Sequence, residues 1–263
     1  MIKKILNKIN RKFFYFLPKL TKEKENIKHI GTFYGGYDIF ENHLKSPVVI
    51  SCGLGEDASF DVDMINNYDA KVILIDPTPR SKKHFQEIKK RFGLDSNENY
   101  NETGNLSAKC YNLKKVNDLN LLFVENAIWS NNDKNIKLYF PNDTKNVSLS
   151  INNINNSKFS DNFYECKTID YLSILKKFNL QKVDILKLDI EGAEIEVLRS
   201  IMSCSILPNQ ILVEFDIRRR PSLTSLKILN NIHISILEKY DLVNINKKGD
   251  FTYIKKNENI NNR

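Results

Sequence analysis

The spacing of apolar positions changes along the chain. Ile2, Ile5, Leu6, Ile9, Phe13, Phe16, Leu17 and Leu20 recur at mostly three- and four-residue intervals with lysines and arginines between them, which predicts a basic amphipathic helix. Residues 21–30 are polar and read as a connector. From Pro47 onward short apolar runs alternate with helical stretches. Val48 to Cys52, Lys71 to Asp76, Leu121 to Trp129, Val183 to Asp189 and Gln210 to Phe215 read as strands. Helices are expected after the first strand as far as Asn67, and over Arg80 to Phe92, Thr168 to Phe178, Ala193 to Met202 and Leu223 to Lys239, the third capped by Thr168 or Asp170. Ile136 to Phe140 and Val147 to Ile151 look like two short strands, and the Asn-rich stretch from Asp95 to Asn105 reads as a loop. Strand and helix in alternation imply an α/β domain with a mostly parallel, doubly wound sheet. Leu242 to Asn246 and Phe251 to Ile254, parted by Lys247-Lys248-Gly249-Asp250, predict a closing antiparallel hairpin. The expected division is a helix and connector over 1–30, one domain over 31–256 and a polar tail over 257–263.

Composition narrows this picture in two ways. A chain of 263 residues, 41% hydrophobic, is long enough for one sizeable core. The net charge of +8 raises nucleic acid as a partner, yet Lys3, Lys4, Lys8, Arg11, Lys12 and Lys19 supply much of the excess within the N-terminal helix. A nucleic-acid groove on the domain is therefore not expected. The basic helix has three candidate seats: the domain's own surface, a second copy of the chain, and an anionic membrane surface. Cys52, Cys110, Cys166 and Cys204 stand far apart, without metal-ligand spacing and without a secretory segment ahead of them. They read as reduced thiols, and the expected location is the cytoplasm, with peripheral contact at the inner face of the membrane as an option.

Three constellations carry chemistry. Val48 to Cys52 runs into Gly53-Leu54-Gly55-Glu56-Asp57, and glycines at such a strand end let a ligand approach the backbone closely. Asp76 ends the next apolar strand, where a carboxylate can accept hydrogen bonds from ribose hydroxyls or cap the following helix. Lys187, Asp189 and Glu191 lie in the strand-end segment Val183 to Glu194. Alternation puts Lys187 and Asp189 on one side of the sheet, where unpaired charge is expensive. Either these charges work on a ligand or they pair with one another. Tyr34-Gly35-Gly36-Tyr37 could close over a bound ligand or form an ordinary turn, and Asp189, Glu191 and Glu214 have the oxygen donors for a divalent cation, although no metal is assigned.

The segment Lys187-Leu188-Asp189-Ile190-Glu191-Gly192-Ala193-Glu194, followed by Val197-Leu198-Arg199 and Ile211-Leu212-Val213-Glu214, resembles the signature of FkbM-type methyltransferases. Thr168 to Leu172 and the Asn126-Ala127 strand end also resemble that family, over roughly residues 46–255. The resemblance implies a Rossmann-like class I methyltransferase using S-adenosyl-L-methionine. The cofactor would meet Ser51, Gly53, Gly55, Asp76, Asn126, Ala127 and Asp189, with Asp189, Glu191 and Lys187 as catalytic candidates. The family usually has an acid where this chain has Ser51, and Glu56 or Asp57 is near enough in the chain to substitute for it. The implied reaction is methylation of a hydroxyl on a small molecule or carbohydrate, in surface glycan synthesis for example. Two other readings stay open: a non-catalytic membrane-associated or scaffold protein, and a nicotinamide-dependent oxidoreductase. Against the latter stand the missing third glycine and the hairpin.

Overall fold

The computed structural model describes residues 18–21, 25–42, 44–141, 159–219 and 221–256. The N-terminal helix expected over 2–20 lies outside these residues except for its last three, and the strand expected over Val147–Ile151 and the tail over 257–263 lie outside them too.

The central sheet has seven strands. In chain order they are β3 (Val48–Cys52), β4 (Lys71–Ile75), β5 (Leu121–Val124), β9 (Ile185–Leu188), β10 (Gln210–Val213), β11 (Tyr240–Ile245) and β12 (Phe251–Lys255). Across the sheet the order is β11-β12-β10-β9-β3-β4-β5, parallel from β10 to β5, with β11 and β12 antiparallel at one edge. The fold is thus α/β with a mostly parallel central sheet.

Alternate residues of the inner strands bury against different layers. Ile50, Cys52, Ile73 and Ile75 point into a core shared with α3 (Tyr171–Lys177), α4 (Glu194–Met202) and α5 (Leu223–Leu237). Val49, Val72, Leu74 and Ile185 point into another, shared with α1 (Ser59–Tyr68) and α2 (Pro79–Lys89). Covering both faces is what a continuous apolar run such as Val72 to Ile75 requires.

Helix starts explain where the chain turns back. Thr78 caps α2, with Pro79 following it, so Asp76 is released from the capping role that the sequence allowed it. Asp170 caps α3 by accepting from the Ser173 amide at 2.7 Å, whereas Thr168 belongs to the strand before it, which shortens the expected helix.

Two additions escape the strand and helix alternation. β1 (Ile27–Ile30) and β2 (Tyr37–Phe40) form an antiparallel hairpin. It is fastened to the sheet by the side-chain amide of Gln210, which accepts from the Phe40 N–H at 3.0 Å and donates to the Phe40 carbonyl at 2.7 Å. The run expected as one strand from Leu121 to Trp129 breaks after Val124, and β6 (Ala127–Ile128) leaves the sheet to pair with β8 (Phe159–Ile169), itself antiparallel to β7 (Asn135–Pro141). Among the described residues no helix is long and apolar enough to cross a membrane.

Gln210 imitates a paired strand for the hairpin. Gln210→Ala should lower the unfolding free energy by about 1–2 kcal/mol and speed hydrogen exchange at the Phe40 amide, both measured against wild type by urea titration and amide exchange.

Candidate active site

Each of four adjacent parallel strands hands over, at its carboxyl end, to a residue that lines the same cavity. β3 is followed by Gly53, β4 by Asp76, β9 by Asp189 and β10 by Glu214, and these frame a cavity of about 270 Å³. The ladder continues one residue past each strand: Gly53 N–H donates to Ile75 O at 3.0 Å, Asp76 N–H to Val124 O at 3.2 Å, Asp189 N–H to Cys52 O at 3.1 Å and Glu214 N–H to Leu188 O at 3.1 Å. Open parallel sheets bind ligands at this edge.

The glycine turn is shaped from two sides. Gly53 has φ +86°, and a Cβ there would lie 1.8 Å from the Asp189 carbonyl oxygen. Gly55 has φ +55°, and a Cβ there would meet nothing within 4 Å; Gly55 lines the cavity. Gly53 is therefore needed by the fold, and Gly55 leaves room beside the turn. Asp76, 5% exposed, ties the turn down. One oxygen accepts from the amides of Leu54 at 2.9 Å and Gly55 at 3.1 Å, the other from the amide and hydroxyl of Thr78 at 2.8 and 2.7 Å.

The neighbouring acids divide in the same way. Asp57 is engaged by the Thr32 hydroxyl at 2.6 Å and the Ser59 amide at 2.9 Å. Glu56 also lines the cavity, and its Oε2 is buried without a hydrogen bond, with an Arg80 nitrogen 3.8 Å away.

At the other end, Arg219 gathers the carboxylates. It pairs with Glu191 at 3.1 Å, with Glu214, and with Asp216 at 3.5 Å. Glu191 holds φ +50° and is followed by Gly192 at φ +109°, a strained turn of the kind that functional sites store. Burial, and then the nearby Asp189, push the Glu214 carboxyl up to about 7. Asp189 accepts no hydrogen bond of good geometry from the described residues. The buried hydroxyl of Tyr37 lies against it, also without a well-formed hydrogen bond, and burial followed by Asp189 drives that phenol well above its usual range. The Tyr34 phenol is raised by burial and then by Asp189 and Glu191. Tyr34 lines the cavity, its ring against Gly104, while Lys248 holds the Tyr34 and Gly36 carbonyls at 2.8 and 3.0 Å. The wall beyond Asp76 is apolar, made by Ala127, Ile128, Ile136 and Leu138.

The structure thus brings Gly53, Gly55, Asp76, Ala127, Lys187, Asp189 and Glu191 to one cavity. Two residues expected there stand off its wall. Ser51 is fully buried beneath the turn, because it sits inside β3 rather than at its end. Asn126 turns its side chain to the Lys167 carbonyl at 3.3 Å, because the chain there is crossing from β5 to the β6–β8 ribbon. Sequence reasoning missed Arg219, Lys248 and the apolar pair on β7. Alternation of Ile136 and Leu138 was a signal for a one-sided strand, but not for what it would face. Among the described residues no group of three or more His, Cys, Asp or Glu side chains is arranged to hold a metal ion.

The family model described as the methyltransferase FkbM domain matches residues 38–221, from β2 to just past Arg219. The chain belongs to the FkbM methyltransferase family. The FkbM segment contains the four strand-end residues, while Tyr34 and Lys248 lie outside it. No protein of curated function is detectably similar to the chain. One solved structure is similar, that of a single-site mutant of the 16S rRNA (adenine(1408)-N(1))-methyltransferase from Catenulisporales acidiphilia. It shares 10% identity over 82% of this chain and 89% of that one, with a TM-score of 0.35.

Behind the Glu191–Gly192 turn, Glu194 is 2% exposed and accepts from the Gly192 amide at 2.8 Å, and burial pushes its carboxyl up to about 8 from an ordinary 4.5. The folded protein keeps this proton over a range where the unfolded chain has lost it, so its contribution to stability is present below pH 4.5 and is lost as pH rises through about 8. Glu194→Gln should flatten the fall in unfolding free energy across that window, as followed by urea titrations at successive pH values.

Proposed function

We propose that the chain transfers the methyl group of S-adenosyl-L-methionine to a hydroxyl of a small molecule or carbohydrate, with surface glycan synthesis as one setting. The observation that carries this reading is the glycine turn. In an FkbM chain, the side of Gly55 on which a Cβ would stand opens beside a strand-end carboxylate, Asp76, at one cavity.

The residues present fit the cofactor. The backbone of Gly53 to Gly55 offers close approach, and the apolar wall of Ala127, Ile128, Ile136 and Leu138 suits a flat heterocycle. Asp76 already accepts four hydrogen bonds, which fills the usual capacity of a carboxylate. Ribose hydroxyls would reach it by replacing the Thr78 hydroxyl, which has a second partner in Ser81. Glu56, with its unbonded oxygen, supplies the acid that Ser51 lacks. The bound cofactor supplies an activated methyl on a sulfonium that is itself a good leaving group. The chain's task is to position the acceptor, exclude water and take a proton. Asp189, a cavity carboxylate without a well-formed hydrogen bond, follows the central strand β9 and has no cationic partner among the described residues, unlike Glu56 beside Arg80, and we assign it the role of accepting the hydroxyl proton. Glu191 is held by Arg219 and orients the acceptor. A carboxylate base favours a hydroxyl acceptor, which must shed a proton to become a good nucleophile. A cytoplasmic location, with residues 1–20 contacting a membrane or a second copy of the chain, completes the reading.

Calorimetric titration with S-adenosylhomocysteine should give saturable binding to wild type and none to Gly55→Leu, whose unfolding midpoint should fall by no more than the strain of one side chain at φ +55°, with the domain still folded; equal binding by both would overturn the placement. With an acceptor found by screening glycans for label transfer, Asp189→Asn should lower kcat by about a hundredfold or more while leaving homocysteine-nucleoside affinity within about twofold. Near-wild-type turnover would remove Asp189 from the role of base.

A further inference from the structure

Lys187 is 3% exposed, in the middle of the sheet, and makes no direct ion pair among the described residues. Its ammonium donates to the Gly53 carbonyl at 2.8 Å and lies 5.2 Å from the centre of the Tyr37 ring. A buried ammonium with only a carbonyl and a ring face is poorly compensated. A buried carboxylate lies one layer away, on α1. Asp61 is 1% exposed, and burial raises its carboxyl to about 6 even though Lys187 is the strongest influence pulling it down. Between them stands Ser51, fully buried and the register partner of Lys187 across β3 and β9. The Ser51 hydroxyl faces Asp61, but neither Ser51 Oγ nor Asp61 Oδ1 makes a hydrogen bond of good geometry. Asp61, Ser51, Lys187 and the Gly53 carbonyl therefore form a buried polar column that ends on the glycine turn.

We propose that Lys187 is a positioning residue, its ammonium fixing the Gly53 carbonyl and with it the turn that meets the cofactor, and that Asp61, reached across Ser51, balances its charge. This rests on the cofactor reading above only for what the turn binds. Lys187 acts through the backbone of the turn, not on the acceptor. The same column accounts for an uncharged Ser51: an acid there would add a second buried negative charge next to Asp61.

The test uses the full chain carrying Lys187→Met, Asp61→Asn or both, with three readouts: urea unfolding, hydrogen exchange at the Leu54 and Gly55 amides, and titration with S-adenosylhomocysteine. In Lys187→Met the two amides should exchange faster and the affinity should fall, each by about tenfold or more. The two substitutions together should destabilise less than the sum of the single ones. Wild-type exchange and affinity in folded Lys187→Met, or strictly additive destabilisation, would overturn the proposal. Should Lys187→Met fail to fold, the double variant, which carries neither charge, should fold; its failure would also overturn the proposal. Absence of binding by wild type would count against the cofactor reading, and the exchange rates and the coupling would still decide this one.

Discussion

The site depends on one close approach, the passage of the Asp189 backbone over Gly53. With no Cβ at Gly53, the carbonyl of Asp189 occupies space that a side chain would fill at 1.8 Å, and β3 and β9 stay in register up to their last residues. If the two strand ends were pushed apart, the Asp189 amide would lose Cys52 O and the Gly53 carbonyl would move away from Lys187. Everything the cavity offers on that side, the turn on one hand and Asp189 and Glu191 on the other, is placed by this contact. Gly53 and Gly55 look alike in the sequence but differ in their surroundings: one admits protein backbone, the other borders the open cavity.

A second constraint follows from crowding polar groups at the end of a buried sheet. The carboxylates there are kept in the fold by specific partners. Asp76 is met by four donors, Glu191 and Glu214 by Arg219, and Asp57 by Thr32 and Ser59. Against this background Asp189, which accepts no well-formed hydrogen bond, and Glu56, whose Oε2 has only an Arg80 nitrogen 3.8 Å away, stand out among the cavity acids. Both line the cavity, within reach of whatever occupies it.

Much of the fold was legible in the sequence because it obeys local rules. β3, β4, β9 and β10 are runs of apolar residues buried on both faces, and such runs bounded by turns and amphipathic helices announce a parallel sheet. The glycine turn and the strand-end acids were legible for the same reason, each being fixed by its place at the end of a recognisable strand. What was not legible depends on long-range pairing. β6 diverges after Val124 to join β8, some forty residues away along the chain, and no feature of Glu125-Asn126 marks the break. β1 and β2 are short and partly polar, and they hold because Gln210, far along the sequence, clamps Phe40. Lys187 was expected beside Asp189 or an acceptor, since alternation puts both on one side. The partner that matters comes from α1, and no spacing rule links Asp61 to a strand more than a hundred residues later.

An S-adenosyl cofactor is proposed to bind in the cavity at the ends of β3, β4, β9 and β10. The decisive measurement is a crystal structure of the protein grown with S-adenosylhomocysteine. The ligand should lie in that cavity, against Gly55, with its ribose at Asp76 and Glu56, its base on the wall of Ala127, Ile128, Ile136 and Leu138, and its sulfur toward Asp189. A ligand bound elsewhere on the domain, or an empty cavity in crystals saturated with it, would overturn this placement.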